Sequence, residues 1–129
     1  MRMVHELVFW GAFGMMLEIC FTALRGLIFS SERNLIGHTS LWMFPIYAIG
    51  LTAGFDLIHT LVPHTVLRYL TYPLWIWLVE IVVGRFAVAR EVRIWDYSYL
   101  PEYLHWRGIV SFAHYPVWVG FGILVEMVK

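Results

Sequence analysis

Two glutamates stand in stretches that otherwise carry almost no charge. Glu80 lies in TYPLWIWLVEIVV at positions 71–83, and Glu18 repeats the situation in an earlier apolar run. A carboxylate at the centre of a membrane helix costs about 2.5–3.5 kcal/mol on insertion scales, so a retained one is expected to pair with, bind or relay something. Glu18 precedes Arg25 by seven residues and Glu80 precedes Arg85 by five. At 1.5 Å per residue each carboxylate would sit roughly 7–10 Å deeper than its arginine, at matched depth. Two readings follow. In one, arginines at 25, 85 or 107 pair with the glutamates and hold the helices together. In the other, Glu18 and Glu80 form an intramembrane polar site with Arg25, Arg85 and His114, taking a cation, a proton or a cationic headgroup. Two adjacent carboxylates cannot both ionise cheaply, which suits either cargo.

A second chemistry-bearing stretch is the aromatic segment over 93–107. Trp95, Asp96, Tyr97 and Ser98 are its distinctive core, with Tyr99, Tyr103, Trp106 and Arg107 behind. Amphipathic rings interleaved with arginines suit the headgroup layer of a membrane. The alternative is a lid folded over the glutamates. Asp96 could cap a turn with Ser98 or pair with Arg93 or Arg107.

The six histidines raise haem and metal ligation. Bis-histidine ligation needs facing ligands at one depth, which only His5 with His59 or His64 could supply. His38 reads as a cap for the second span beside Thr39 and Ser40. The single cysteine, Cys20, gives no disulfide or cysteine metal site within one chain. There is no P-loop, nucleophile–base motif or HExxH. No metal, cofactor or catalytic activity is therefore expected.

The elements that must position these residues follow from composition. The 129 residues are 60% hydrophobic and 18% aromatic, with net charge zero. Mean hydropathy is +0.71. A soluble domain of this size could not hide so much apolar surface, so a bilayer is its expected solvent. The neutral balance gives no signal for nucleic acid. Glu18 breaks the first apolar run and no small-residue cleavage site follows, so a cleaved signal peptide is not expected. Apolar spans fall at about 4–24, 40–57, 66–83 and 109–125, the length helices need to cross a hydrocarbon core of about 30 Å. Strands are not expected, since few stretches alternate and barrels need more of them. Pro45, Pro73 and Pro116 read as kinks within the spans. The reading is one all-α transmembrane domain over 1–129 with four membrane helices. Arg25, Arg33, Arg85, Arg90, Arg93 and Arg107 fall in or beside the first and third loops, against Arg2, Arg68 and Lys129 on the other side. The excess of arginine places those two loops in the cytoplasm and both termini outside.

The two halves also resemble each other. MLEIC at 16–20 reads like LVEIV at 78–82, and the spacing of Gly37, Ser40 and Pro45 matches that of Gly108, Ser111 and Pro116. Asp56 and Glu126 then close the second and fourth spans. A two-helix unit repeated in the same orientation implies a pseudo-two-fold axis along the membrane normal, with Glu18 and Glu80 facing across it.

The order GMMLEICFTA at 14–23, GHTSLWMFPIY at 37–47, Glu80, WDYS at 95–98 and Arg107-Gly108 resembles small bacterial membrane proteins named as a type IV ABC-transporter family. That family is similar to the animal transmembrane protein 229 proteins. The resemblance covers nearly the whole chain. It marks Glu18, Gly37, Ser40, Trp42, Pro45, Tyr47, Glu80, Trp95, Asp96, Tyr97 and Gly108 as family-pattern positions. It implies four membrane helices in a bacterial cytoplasmic membrane, and any nucleotide-hydrolysing subunit would be a separate polypeptide. Two functions are expected: a transport-type or lipid-interacting protein, or an accessory subunit of a larger membrane complex. Four short helices enclose little volume, so membrane lipid and a homo-oligomer or larger assembly are the expected partners.

Overall fold

A computed structural model describes residues 1–129, built mainly of helices. Helix α1 is Arg2–Ser30, α2 is Met43–Ile49, α3 is Phe55–Leu61, α4 is Thr65–Ala89 and α5 is Tyr115–Val128. A π-helical turn, Gly50–Gly54, joins α2 to α3, so Met43–Leu61 runs as one 19-residue stretch. Three stretches are long and apolar enough to cross a membrane: Arg2–Ser30, Met43–Leu61 and Thr65–Ala89. Their surfaces agree with that solvent. Of the 29 residues of α1 only Trp10, Gly11, Gly14 and Ala23 are buried, and the exposed ones are mostly large and apolar.

The fourth expected span differs. Residues 109–114 are not helical, and α5 has 14 residues, about 21 Å at the helical rise and short of the hydrocarbon core. Two observations explain the late start. Val110–Ser111 forms a short antiparallel pair with His105–Trp106, so the start of the apolar run is turn at Ile109 and strand at 110–111. Pro116 then lies in the first turn of α5, where its missing N–H is no loss. Pro45 is likewise in the first turn of α2, so neither proline kinks a helix. Pro73 is the one inside a helix. There the Tyr115 hydroxyl donates to the Leu70 carbonyl at 2.8 Å, giving a partner to a carbonyl in the turn the proline disturbs.

Helices α1 and α4 run past their expected ends, to Ser30 and Ala89. Both stop at left-handed residues that are not glycine, Ser31 at φ 53° and Glu91 at φ 61°. At α4 the Val92 amide bonds the Ala87 carbonyl and the Glu91 amide bonds that of Val88, a Schellman closure.

The chain divides into two compact units, Met1–Gly54 and Phe55–Lys129. In the first, α1 packs on α2 through glycines. A Cβ at Gly14 would fall 2.2 Å from the Tyr47 ring, and one at Gly11 would fall 2.9 Å from Phe44. The loop before α2 is held to α1 by Thr22, whose hydroxyl accepts from the His38 amide at 2.8 Å. His38 therefore does not cap α2; the Ser40 hydroxyl accepts from the Trp42 amide there instead.

In the second unit α4 packs on α3, α5 and the β-hairpin. Phe55 and Tyr72 stack with ring centres 4.2 Å apart, and Gly122 of α5 passes so close to Tyr72 that a Cβ would fall 2.4 Å away. The hairpin lies against α4: the Trp77 indole donates to the Ser111 carbonyl at 3.0 Å, and Gly84 leaves space for Ile109. One end of this unit is closed by ionic groups. Arg68 is bidentate to Glu126, at 2.9 and 2.6 Å, and also donates to the Val62 and Pro63 carbonyls. The Tyr72 hydroxyl donates to the same carboxylate at 2.8 Å, and Lys129 pairs with Asp56.

Candidate functional site

Glu80 sits in the middle of α4 and is only 6% exposed. Its helix is unbroken by a polar neighbour, so the carboxylate faces whatever packs on α4, and that is the segment after it. The segment's Tyr97 hydroxyl donates to Glu80 Oε1 at 2.8 Å. The Ser111 amide is also directed at the carboxylate. Glu80 Oε2 is buried with no hydrogen-bond partner. Next to it the Ser111 hydroxyl and His114 Nδ1 share a short hydrogen bond, and both residues are buried. The His114 ring lies 5.3 Å from Tyr97 on one side and 6.1 Å from Trp118 on the other. Trp118 Nε1 is a second buried polar atom without a partner. One carboxylate oxygen and one indole N–H are thus left unanswered along a single row of rings.

Tyr97 reaches Glu80 because the segment is folded back. The Trp95 indole donates to the Ile109 carbonyl at 2.8 Å and the Tyr97 amide to the Gly108 carbonyl at 2.9 Å. Gly108 has φ 69°, and a Cβ there would fall 2.6 Å from Asp96 Oδ1, so glycine is required twice over. Asp96 Oδ1 in turn accepts from the Ser98 amide at 2.9 Å and from Arg93 at 3.2 Å.

The Ser98 hydrogen bonds, with Arg93 beside them, hold the Asp96 carboxyl below the usual carboxylate range. A group whose folded pKa is depressed contributes stability above its unfolded value, about 3.9, and that is lost as pH falls through the folded one. The protection of the Ser98 amide, the slowing of its exchange relative to an unstructured amide at the same pH, should therefore be high above about pH 4 and fall below it. Asp96→Asn should flatten that dependence. An unchanged profile in the variant would remove Asp96 as the fastener of the turn.

In the first unit the half-buried Glu18 accepts from the Tyr47 hydroxyl at 3.0 Å. Thr39 and His38 are the other groups that bear on it, and Thr39 Oγ1 is buried without a hydrogen-bond partner. The sequence-level expectation that an arginine would answer the glutamates is replaced by tyrosine in both units. For Glu80 the reason is angular. Arg85 is five residues on, about 140° round the helix at 3.6 residues per turn, and it is exposed. Arg107 is exposed over the Trp106 ring at 4.9 Å, and the groups that bear on Glu18 are Tyr47, Thr39 and His38. Of the expected site residues, the structure gathers Glu80, His114 and Tyr97 in one cluster. Glu18 lies in the other unit.

Three participants were not legible beforehand: Tyr47, Tyr97 as the donor to Glu80, and the Arg68–Glu126–Tyr72 group. The last had a usable signal. Arg68 and Glu126 are both charges in apolar helices, and such charges pair. No family model matches the chain, and no solved structure matches it.

Proposed function

We propose that this is a small multi-pass membrane protein whose working part is an intramembrane polar site centred on Glu80, acting in transport or in lipid interaction. The observation that carries the reading is the contrast between two carboxylates of one unit, the buried Glu80 and the half-buried Glu126. Glu126 is fully answered by Arg68 and Tyr72 and is structural. Glu80 keeps an unanswered oxygen, and its other oxygen is held by the Tyr97 hydroxyl, a neutral donor. An unpaired buried polar atom costs about 1–3 kcal/mol, and more when charged, so its retention favours a guest over a purely structural role. Four passes in a bacterial cytoplasmic membrane, with both termini outside and assembly into a homo-oligomer, complete the proposal; α5 would make the fourth pass where partner or lipid covers its ends.

A second reading, an accessory subunit of a larger complex, has one observation in its favour. Gly50 and Gly120 face open space, which lets a partner helix approach closely.

A hydrophobic carbodiimide discriminates between these. Applied to native membranes, it should label Glu80 and spare Glu126, whose oxygens are occupied by arginine. Mass spectrometry of the peptides reads the result. No label on Glu80, or equal label on both, would favour the closed accessory subunit.

A further inference from the structure

Resting on the reading of Glu80 as a reachable site, we infer that its guest is an organic ammonium, a primary amine borne by a small solute or a lipid headgroup, and not an inorganic cation. Three features point there. The unanswered acceptor is a carboxylate oxygen, Glu80 Oε2, buried in a helix that places no cation against it. A guest that satisfies it must donate a hydrogen bond, and one that also brings positive charge removes the larger part of the burial cost. The Tyr97 ring that holds the carboxylate begins a row of rings: Tyr97, His114 and Trp118 follow one another at 5.3 and 6.1 Å. Aromatic faces attract organic ammonium groups and accommodate their methylenes. The third feature is what the cluster lacks as a metal site. No group of three or more His, Cys, Asp or Glu side chains converges anywhere in the chain. Hard cations shed their water only for many oxygens together, six to eight for calcium or a ring of carbonyls for potassium. One carboxylate with a phenol already attached to its other oxygen is a poor substitute for that shell. For a primary ammonium it is sufficient: one N–H to Oε2, with the alkyl side against the rings.

The ammonium class also separates by hydrogen bonding. A primary ammonium donates to Oε2, whereas a quaternary one has only charge and ring contact to offer. A hydrogen bond to a charged group is worth at least a factor of about ten in affinity.

The test uses the full chain in phosphatidylglycerol nanodiscs, with the indole N–H resonance of Trp118 as the local reporter, assigned by its disappearance in Trp118→Phe. Methylammonium should shift that resonance saturably. Tetramethylammonium should do so at least about tenfold more weakly, and sodium at equal ionic strength should produce no saturable shift. Glu80→Gln, which keeps the shape and loses the charge, should abolish the methylammonium response while the circular dichroism and elution volume stay those of the wild type. Equal response to sodium, no response to any ammonium, or an undiminished response in folded Glu80→Gln would overturn the assignment. The wild-type comparison of the three cations stands even where the variant fails to fold. Repeating the titration with phosphatidylethanolamine in the disc distinguishes the sources. Competition by the lipid identifies a headgroup amine, and none identifies a soluble amine. Carbodiimide labelling of Glu80 without any ammonium response would remove the ligand class and leave the reachable site. Absence of both would remove the two together.

Discussion

Arg68→Met should destabilise the second unit by about 3–5 kcal/mol, the loss expected when one partner of a buried ion pair is removed and the other is left charged. The side chain of Arg68 is 6% exposed and that of Glu126 14%, so water replaces the lost bonds only in part. Arg68 also donates to the Val62 and Pro63 carbonyls, which lie in the turn between α3 and α4, so the variant orphans backbone as well as carboxylate. The Tyr72 hydroxyl would remain on Glu126, and that ring is stacked on Phe55. Loss of the arginine therefore loosens three elements at once: α3, α4 and α5. Glu126→Gln should cost less than Arg68→Met, because the amide oxygen can still accept one of the arginine bonds. The double replacement Arg68→Met with Glu126→Leu should recover much of the loss, since a well-packed apolar pair is often as stable as the ions it replaces. Denaturation of the detergent-solubilised protein, followed by helical circular dichroism, measures all three. A double variant no better than Arg68→Met alone would show that the backbone contacts of Arg68, and not the charge left on Glu126, dominate.

The sequence carried the coarse fold because hydrophobic length is a local property. Three apolar runs became helices long enough to cross a membrane, near where composition placed them. Their ends were less legible. Helices α1 and α4 overran because the usual glycine stop is missing and Ser31 and Glu91 take the left-handed conformation instead. The apolar run at 109–125 reads as a single helix because Ile109, Val110 and Ser111 are as compatible with strand as with helix. The pairing of Val110 and Ser111 with His105 and Trp106 across a tight hairpin decides between them, and no hydropathy pattern reports it. The site shows the same division. That Glu80 would be turned inward follows from the cost of exposing it to lipid. That Tyr97 would be its donor depends on how the turn at Asp96 and Gly108 is folded, which no periodicity reports. In the sequence the tyrosines read as headgroup-layer rings, and a phenol hydroxyl carries no signal that sets it apart as a partner for a buried carboxylate. A neutral donor satisfies a buried carboxylate oxygen without bringing a second charge out of water, so it was physically the cheaper partner.

Gly37→Ala should be the most damaging single-methyl change in the first unit, at about 3 kcal/mol, the upper part of the usual range for overpacking. The reason is what the methyl would meet. A Cβ at Gly37 would fall 1.9 Å from the Ile19 carbonyl oxygen and 2.8 Å from its carbon. Those are backbone atoms of a continuous helix, so no rotamer change relieves the clash. Either α1 bends or the loop lifts off. Lifting the loop breaks the bonds that Thr22 makes to the His38 amide and carbonyl, at 2.8 and 3.2 Å. It also withdraws Thr39 and His38 from the neighbourhood of Glu18. The Tyr47–Glu18 bond is made by α2, beyond the loop, and should weaken second. Hydrogen exchange at the His38 amide should therefore rise in Gly37→Ala before the global melting point explains it. Two other glycines provide the comparison. At Gly26 the added carbon would meet only Glu32 Cβ at 3.7 Å, an ordinary contact, and at Gly120 it would meet nothing within 4 Å. Both lie in helices, where alanine is favoured over glycine by roughly 0.5–1 kcal/mol, so Gly26→Ala and Gly120→Ala should be neutral or stabilising. Equal losses in all three variants would mean that helix-wide effects, and not the close approach of the Gly37 loop to Ile19, set the cost.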